Sequence, residues 1–188
     1  MYEDLDWENA RRLARLAVWA AFMALGAWVV IPVAFIPVTL QTFFIFLAGF
    51  VEGPRASISA ALYLGAGLLG LPVFSGGQAG PALVFGPSVG YAFSFPAMAA
   101  ICGLGRGKGR PGLARMLPLG LAGMALMYSC GSLGLVVNAG LSWPAALFLN
   151  VTFLPGDLAK MVCAALAARS LAPRLGQRGG PAGSRPQG

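Results

Sequence analysis

Two side chains three residues apart hold the chemistry that their surroundings least explain. Asp157 and Lys160 lie in an apolar stretch running from Leu141 to Leu171. Their spacing puts them on one face of a helix. A charge inside an apolar span is costly and marks a functional site by default. One reading is mutual pairing that orients the helix, with Asp157 favoured by a helix N-terminus. Buried ion pairs, however, stabilise no better than well-packed apolar residues of similar size. A site that needs an acceptor-only group beside a donor-only group accounts for the pair better.

Further polar groups fall on the same side of the chain as those two charges. Thr39, Gln41 and Thr42 open one apolar segment, Gln78 lies in a glycine-rich turn, and Ser88 and Tyr91 open another segment. Gly76, Gly77, Gly86 and Gly90 allow close approach of backbone or ligand. With Phe35, Phe74, Tyr91 and Trp143 as candidate walls, these residues describe an outward-facing pocket for a small polar molecule.

The elements that must position them are membrane helices. Of 188 residues, 57% are hydrophobic and 10% charged, and the mean hydropathy is +0.75. A water-soluble domain carries about 25% charged residues. Lipid is therefore the solvent, and the length accommodates about six spans of ~20 residues. Proline, glycine and charge set the expected bounds at Leu13 to Ile31, Pro37 to Gly53, Ala56 to Leu71, Leu83 to Leu104, Met116 to Val137 and Pro155 to Leu171. Ser142 to Leu154 is expected as a short outer helix or re-entrant piece, because Pro155 suits a first helical position.

Charge supports this count. Arg11, Arg12 and Arg15 precede the first span, and Arg55 lies between the second and third. Arg106, Lys108, Arg110 and Arg115 lie between the fourth and fifth, and Arg169, Arg174, Arg178 and Arg185 follow the last. All bases but Lys160 thus fall on one side. The positive-inside rule makes that side cytoplasmic, with both termini. The expected organisation is a cytoplasmic segment over 1–12, a six-helix transmembrane substrate-binding domain over 13–171 and a disordered basic tail over 172–188. The net charge of +7 orients the protein in its membrane; the bases form no aromatic-rich polar face for nucleic acid.

Several catalytic classes drop out. The chain has no histidine, the commonest general base and metal ligand. Cys102, Cys130 and Cys163 stand singly, without metal or redox spacing. Gly65-Ala66-Gly67-Leu68-Leu69-Gly70 matches a dinucleotide fingerprint in letters only, since no strand precedes it. Around Lys108 a phosphate loop fails, with Cys102 in place of the first glycine and Gly109 in place of Ser or Thr. Nothing here asks for a metal or cofactor. The chain reads as a binder and not as an enzyme.

Four stretches together resemble the biotin-specific substrate-binding (S) components of energy-coupling-factor (ECF) transporters, the BioY family. They are Ile36-Pro37-Val38-Thr39-Leu40-Gln41-Thr42-Phe43-Phe44 with Leu47-Ala48-Gly49, Gly70-Leu71-Pro72-Val73-Phe74-Ser75-Gly76-Gly77, Gly86-Pro87-Ser88-Val89-Gly90-Tyr91, and Leu154-Pro155-Gly156-Asp157-Leu158-Ala159-Lys160. Ser88, Val89 and Gln78 depart from the family pattern. The resemblance implies a six-helix S-component bundle in a bacterial or archaeal cytoplasmic membrane, binding biotin from outside with high affinity. Docking on an energising module, a transmembrane coupling subunit with two ATPases, is implied as well. Small residues on helix one make the docking face in the broader family, and Ala17, Ala20, Ala21 and Ala24 fit it. Asp157 can accept from the ureido N–H groups, and Lys160 can donate to the ureido carbonyl or the carboxylate. Another small vitamin or precursor as substrate, a self-sufficient proton-coupled transporter and a purely structural subunit are the alternatives.

Overall fold

The computed structural model describes residues 2–31, 38–107 and 112–177. Six helices make up the bundle: α1 (Tyr2–Trp28), α2 (Gln41–Glu52), α3 (Ala56–Leu68), α4 (Val89–Leu104), α5 (Leu113–Ala139) and α6 (Trp143–Gln177). The two-residue strands β1 (Val30–Ile31) and β2 (Val38–Thr39) pair antiparallel between α1 and α2, with Val30 opposite Thr39. Among the described residues, three stretches are long and apolar enough to cross a membrane by length and composition alone: Gln41–Leu68, Leu113–Ala139 and Trp143–Ala172. Helix α4 is apolar but shorter. Large apolar side chains such as Phe148, Val151 and Val137 remain exposed on the outside, as a lipid-facing surface allows.

Gln41–Leu68 is not one straight helix. Gln41 donates a hydrogen bond to the Tyr63 hydroxyl across a separation of 22 residues, which a straight helix would stretch to about 33 Å at 1.5 Å per residue. The chain therefore doubles back. The reversal occurs at Gly53, whose φ of 76° is open to glycine at no steric cost, and at Pro54, which has no N–H to continue the ladder.

The same reasoning fixes the direction of the other helices. Trp19 of α1 donates to Glu52 at the foot of α2, whereas Gly26, two turns later, meets Gln41 at its head. Helix α4 begins beside Cys130 and Gly131 of α5, with Gly90 against them, and ends with Gly103 against Gly53 and Pro54. Gly105 then meets Met116 at the start of α5. Successive helices thus alternate in direction, and they share two ends. The head carries Gln41, Tyr63, Tyr91 and Tyr128. The foot carries Glu52, Gly53, Gly103 and, beside them, Arg55 and Arg106, whose side chain passes 3.5 Å from a Cβ placed on Gly53.

Helix α6 corrects one expectation. The stretch expected over Ser142 to Leu154 is neither separate nor re-entrant; from Trp143 on it is the first part of a single 35-residue helix. Pro155 sits within this helix, where its ring gives up the bond to the Val151 carbonyl. Membrane helices tolerate such a loss where neighbouring helices surround the break. The buried face passes through it without changing phase: Ala146, Asn150, Phe153, Asp157, Met161, Ala164, Ala168 and Ala172 follow at steps of three and four. Packing along this stripe outweighs the local proline signal. At its far end α6 continues to Gln177, so 172–177, expected within a disordered tail, are helical.

Candidate functional site

The head of the bundle encloses a cavity of about 670 Å³, counting the space at its mouth. Every helix but α1 contributes. Thr39, Gln41 and Thr42 line it from β2 and α2, Tyr63 from α3, Tyr91 and Phe95 from α4, Met127 and Tyr128 from α5, and Phe153, Asp157 and Lys160 from α6. Phe74, Ser75, Leu83 and Ser88 close it from the connection between α3 and α4. This connection is held down at three points. Trp28 donates to the Pro72 carbonyl, the Gly80 N–H reaches the Gly67 carbonyl, and Asn138 donates to the Val84 and Gly86 carbonyls.

Asp157 and Lys160 meet, with Nζ donating to Oδ1 at 2.9 Å. Neither depends on the other alone. Oδ1 also accepts from Thr42 Oγ1 at 2.8 Å, and Oδ2 accepts from the Tyr128 hydroxyl at 2.8 Å. Nζ donates further to the Thr39 carbonyl at 2.7 Å and to Thr42 Oγ1 at 3.2 Å. An ammonium has three protons, and these three contacts use them. A carboxylate has about four lone-pair sites, of which three are taken. Asp157 thus keeps one acceptor site for a ligand, while Lys160 must release a present partner to donate elsewhere.

The remaining polar groups divide into two walls. Thr39 Oγ1 donates to Gln41 Oε1, and Gln41 Nε2 donates to the Tyr63 oxygen. A second Gln41 N–H and the Tyr63 proton are left over, so the α2–α3 wall offers donors. Tyr128 spends its proton on Asp157, and Tyr91 spends its own on Asn150 Oδ1 at 2.7 Å. Both phenols then show only lone pairs, so the wall from α4, α5 and α6 offers acceptors. Between them the Ser75 hydroxyl is buried with no hydrogen-bond partner among the described residues.

The structure gathers most of the residues singled out by sequence. Asp157, Lys160, Gln41, Thr39, Tyr91 and Ser88 line one cavity, with Phe74 as a wall. Gln78 and Gly86 line an adjoining hollow that shares Ser75 and Ser88 with it. Gly76 and Gly77 make a tight turn with φ of 68° and 79° and line neither space. Gly90 serves helix packing, because a Cβ there would collide with the Cys130 carbonyl. Trp143 stands exposed at the start of α6, away from the cavity. Phe35 lies outside the described residues. Tyr63, Tyr128, Asn150 and Ser75 are the additions. Asn150 carried a usable signal, a carboxamide seven residues before Asp157 in an apolar helix, hence on the same face. The tyrosines carried none, since aromatic residues are ordinary in membrane spans.

Comparison with known proteins agrees with this architecture. Residues 2–177 match the BioY family. The biotin transporter BioY of Thermotoga maritima is 35% identical over 165 residues, covering 86% of this chain and 95% of its own length. That of Rhodobacter capsulatus is 36% identical over 178 residues, covering 86% and 93%. Among solved structures, the crystal structure of the S-component for biotin from an ECF-type ABC transporter superposes with a TM-score of 0.78 at 27% identity. It covers 92% of this chain and 94% of that one. With the family matched almost end to end and relatives aligned over nearly their whole lengths, the chain belongs to the BioY family.

Proposed function

We propose that this chain is the biotin-binding S component of an ATP-driven uptake system, taking biotin from outside the cell into the cavity at the head of the bundle. One observation carries the proposal: the cavity joins an acceptor wall, built on Asp157, to a donor wall, built on Gln41 and Tyr63, within apolar sides. Biotin matches it in kind. Its ureido ring has two N–H donors for Asp157, Tyr91 and Tyr128 and a carbonyl for the Gln41 or Tyr63 donor. Its sulfur ring and chain are apolar enough for Phe74, Phe95, Met127 and Phe153. Lys160 fixes the Asp157 carboxylate, and it reaches biotin itself by exchanging the Thr39 or Thr42 contact.

On this reading the six alternating helices each cross the cytoplasmic membrane, and the basic foot, with both termini, faces the cytoplasm. The transmembrane domain then spans 13–171 with lipid around it. The energising module, a coupling subunit with two ATPases, docks on α1. Of the four alanines there, Ala20 and Ala24 already pack against the core, whereas Ala17 and Ala21 are exposed. The latter pair is the one free to meet a partner helix closely. Ala17→Trp is expected to leave biotin affinity unchanged and to abolish uptake in cells that carry the module.

Titration calorimetry of the detergent-solubilised protein tests the core of the proposal. Biotin is expected to bind one to one, and dethiobiotin, which keeps the ureido ring, to compete with it. Thiamine and riboflavin are expected not to compete. Competition by either would give the cavity to another vitamin, and no biotin binding by the folded protein would end the proposal.

A further inference from the structure

Asn150 lies behind the cavity wall, 5% exposed, and does not line the cavity. It ties three helices together through one carboxamide. Nδ2 donates to Ser132 Oγ at 2.7 Å and to the Tyr128 carbonyl at 3.3 Å, both on α5. Oδ1 accepts from the Tyr91 hydroxyl of α4. The orientation of this amide is dictated chemically. A backbone carbonyl can only accept, so the NH₂ must face Tyr128, and the oxygen must face Tyr91. The Tyr91 hydroxyl must in turn donate to it, because an amide oxygen has no proton to give. Ser132 is 1% exposed, so no bulk water competes for this arrangement.

From this geometry we infer that Asn150 is a positioning residue for ligand recognition: it takes the Tyr91 proton, so that Tyr91 shows the cavity lone pairs alone and accepts an N–H from the bound ureido ring. The inference rests on the proposed biotin site and adds a residue that does not touch the ligand. A free phenol can turn its proton either way, and would meet a ligand donor with its own proton in part of its conformations. Asn150 removes that freedom before biotin arrives, which is the gain of preorganisation. Asn150→Ala leaves the Tyr91 oxygen in place and frees its proton. Tyr91→Phe deletes the oxygen outright.

Two measurements on the full-length, detergent-solubilised protein decide the matter. The first is a double-mutant cycle on the biotin dissociation constant. Asn150→Ala is expected to weaken binding about fivefold in the parent, as for one neutral hydrogen bond. In a Tyr91→Phe background it is expected to change binding less than about twofold. Equal losses in both backgrounds would reduce Asn150 to a structural tie and overturn the inference. Ser132→Ala, a gentler change that loosens Asn150, should give a smaller loss that also vanishes with Tyr91→Phe. The second is the tyrosine ring doublet in resonance Raman difference spectra against Tyr91→Phe, which reports donor or acceptor status without biotin. The parent should give a donor signature that Asn150→Ala removes; an acceptor signature in the parent, or no change, overturns the inference. If the folded parent fails to bind biotin, the functional proposal falls, and the spectra still decide the role of Asn150.

Discussion

Both ends of the bundle use close glycine contacts, at the head Gly90 against Cys130 and Gly26 against Gln41, but their polar contacts differ. At the head, side-chain hydrogen bonds run between helices: Thr42 to Asp157, Tyr128 to Asp157, Tyr91 to Asn150 and Gln41 to Tyr63. At the foot, glycine contacts stand almost without such bonds. Gly103 abuts Gly53 and Pro54, and Gly49 abuts Cys102 and Ala99. Among the described residues the foot has one side-chain hydrogen bond between helices, from Trp19 to Glu52 at 3.1 Å. In lipid, apolar packing gains nothing from expelling water, so close approach of small residues drives helix association. Holding helices together therefore requires no polar group. On the proposed function the polar groups at the head serve ligand recognition, whereas at the foot the same bundle is held with one such bond among the described residues.

Asp157→Ala should break this contrast most completely. It removes the acceptor of Lys160, Thr42 and Tyr128 together and leaves an ammonium in the bundle interior. Breaking a buried pair from one side costs about 3–5 kcal/mol, so thermal unfolding in detergent should fall well below that of the parent. Biotin titration should find no measurable binding. Asp157→Asn keeps the shape and part of the bonding. A hydrogen bond to a charged group contributes about 1.5–3 kcal/mol, so this variant should bind at least about tenfold more weakly while remaining folded. Unchanged affinity in Asp157→Asn would remove the acceptor wall from the recognition scheme.

Gly103→Leu probes the foot. Its Cβ would collide with the Gly53–Pro54 backbone, and overpacking of that kind costs about 1–3 kcal/mol. The unfolding temperature should drop, whereas the biotin affinity of the folded fraction should stay within about twofold, since distant sites are close to independent. A large loss of affinity would mean that the two ends are coupled. Tyr128→Phe is the milder head variant. It deletes one donor to the Asp157 carboxylate, a bond to a charged group that contributes about 1.5–3 kcal/mol, so biotin should bind about tenfold more weakly with a modest fall in unfolding temperature.

How far these ends were legible in sequence follows from the same physics. Asp157 and Lys160 were legible because a charge in an apolar span is expensive wherever it points. Arg55 and Arg106 at the foot stand out in sequence because arginine cannot easily lie in hydrocarbon. Tyr63 and Tyr128 were not, since tyrosine is apolar for most of its length and only the fold directs its hydroxyl inward. Gly76 and Gly77 line neither space: glycine reports a permitted backbone conformation, here a turn, and does not by itself place a ligand. Pro155 misled in a third way. The rule that proline starts a helix holds in water, whereas a packed stripe from Ala146 to Ala172 carries the helix through.

Trp19→Phe should have the smallest effect, and it sharpens the comparison from the other side. The indole N–H donates to Glu52, the acidic residue at the turn between α2 and α3. Trp19 is 6% exposed, packed in the core, so phenylalanine keeps most of the apolar contact and loses the bond. The expected cost is about 1 kcal/mol, visible as a small fall in unfolding temperature. Biotin affinity should not change, because Glu52 lies at the foot, the length of α2 away from Gln41. If affinity fell as it does for Tyr128→Phe, the polar contact at the foot would belong to the recognition system, and the bundle would transmit between its ends what its packing alone does not require.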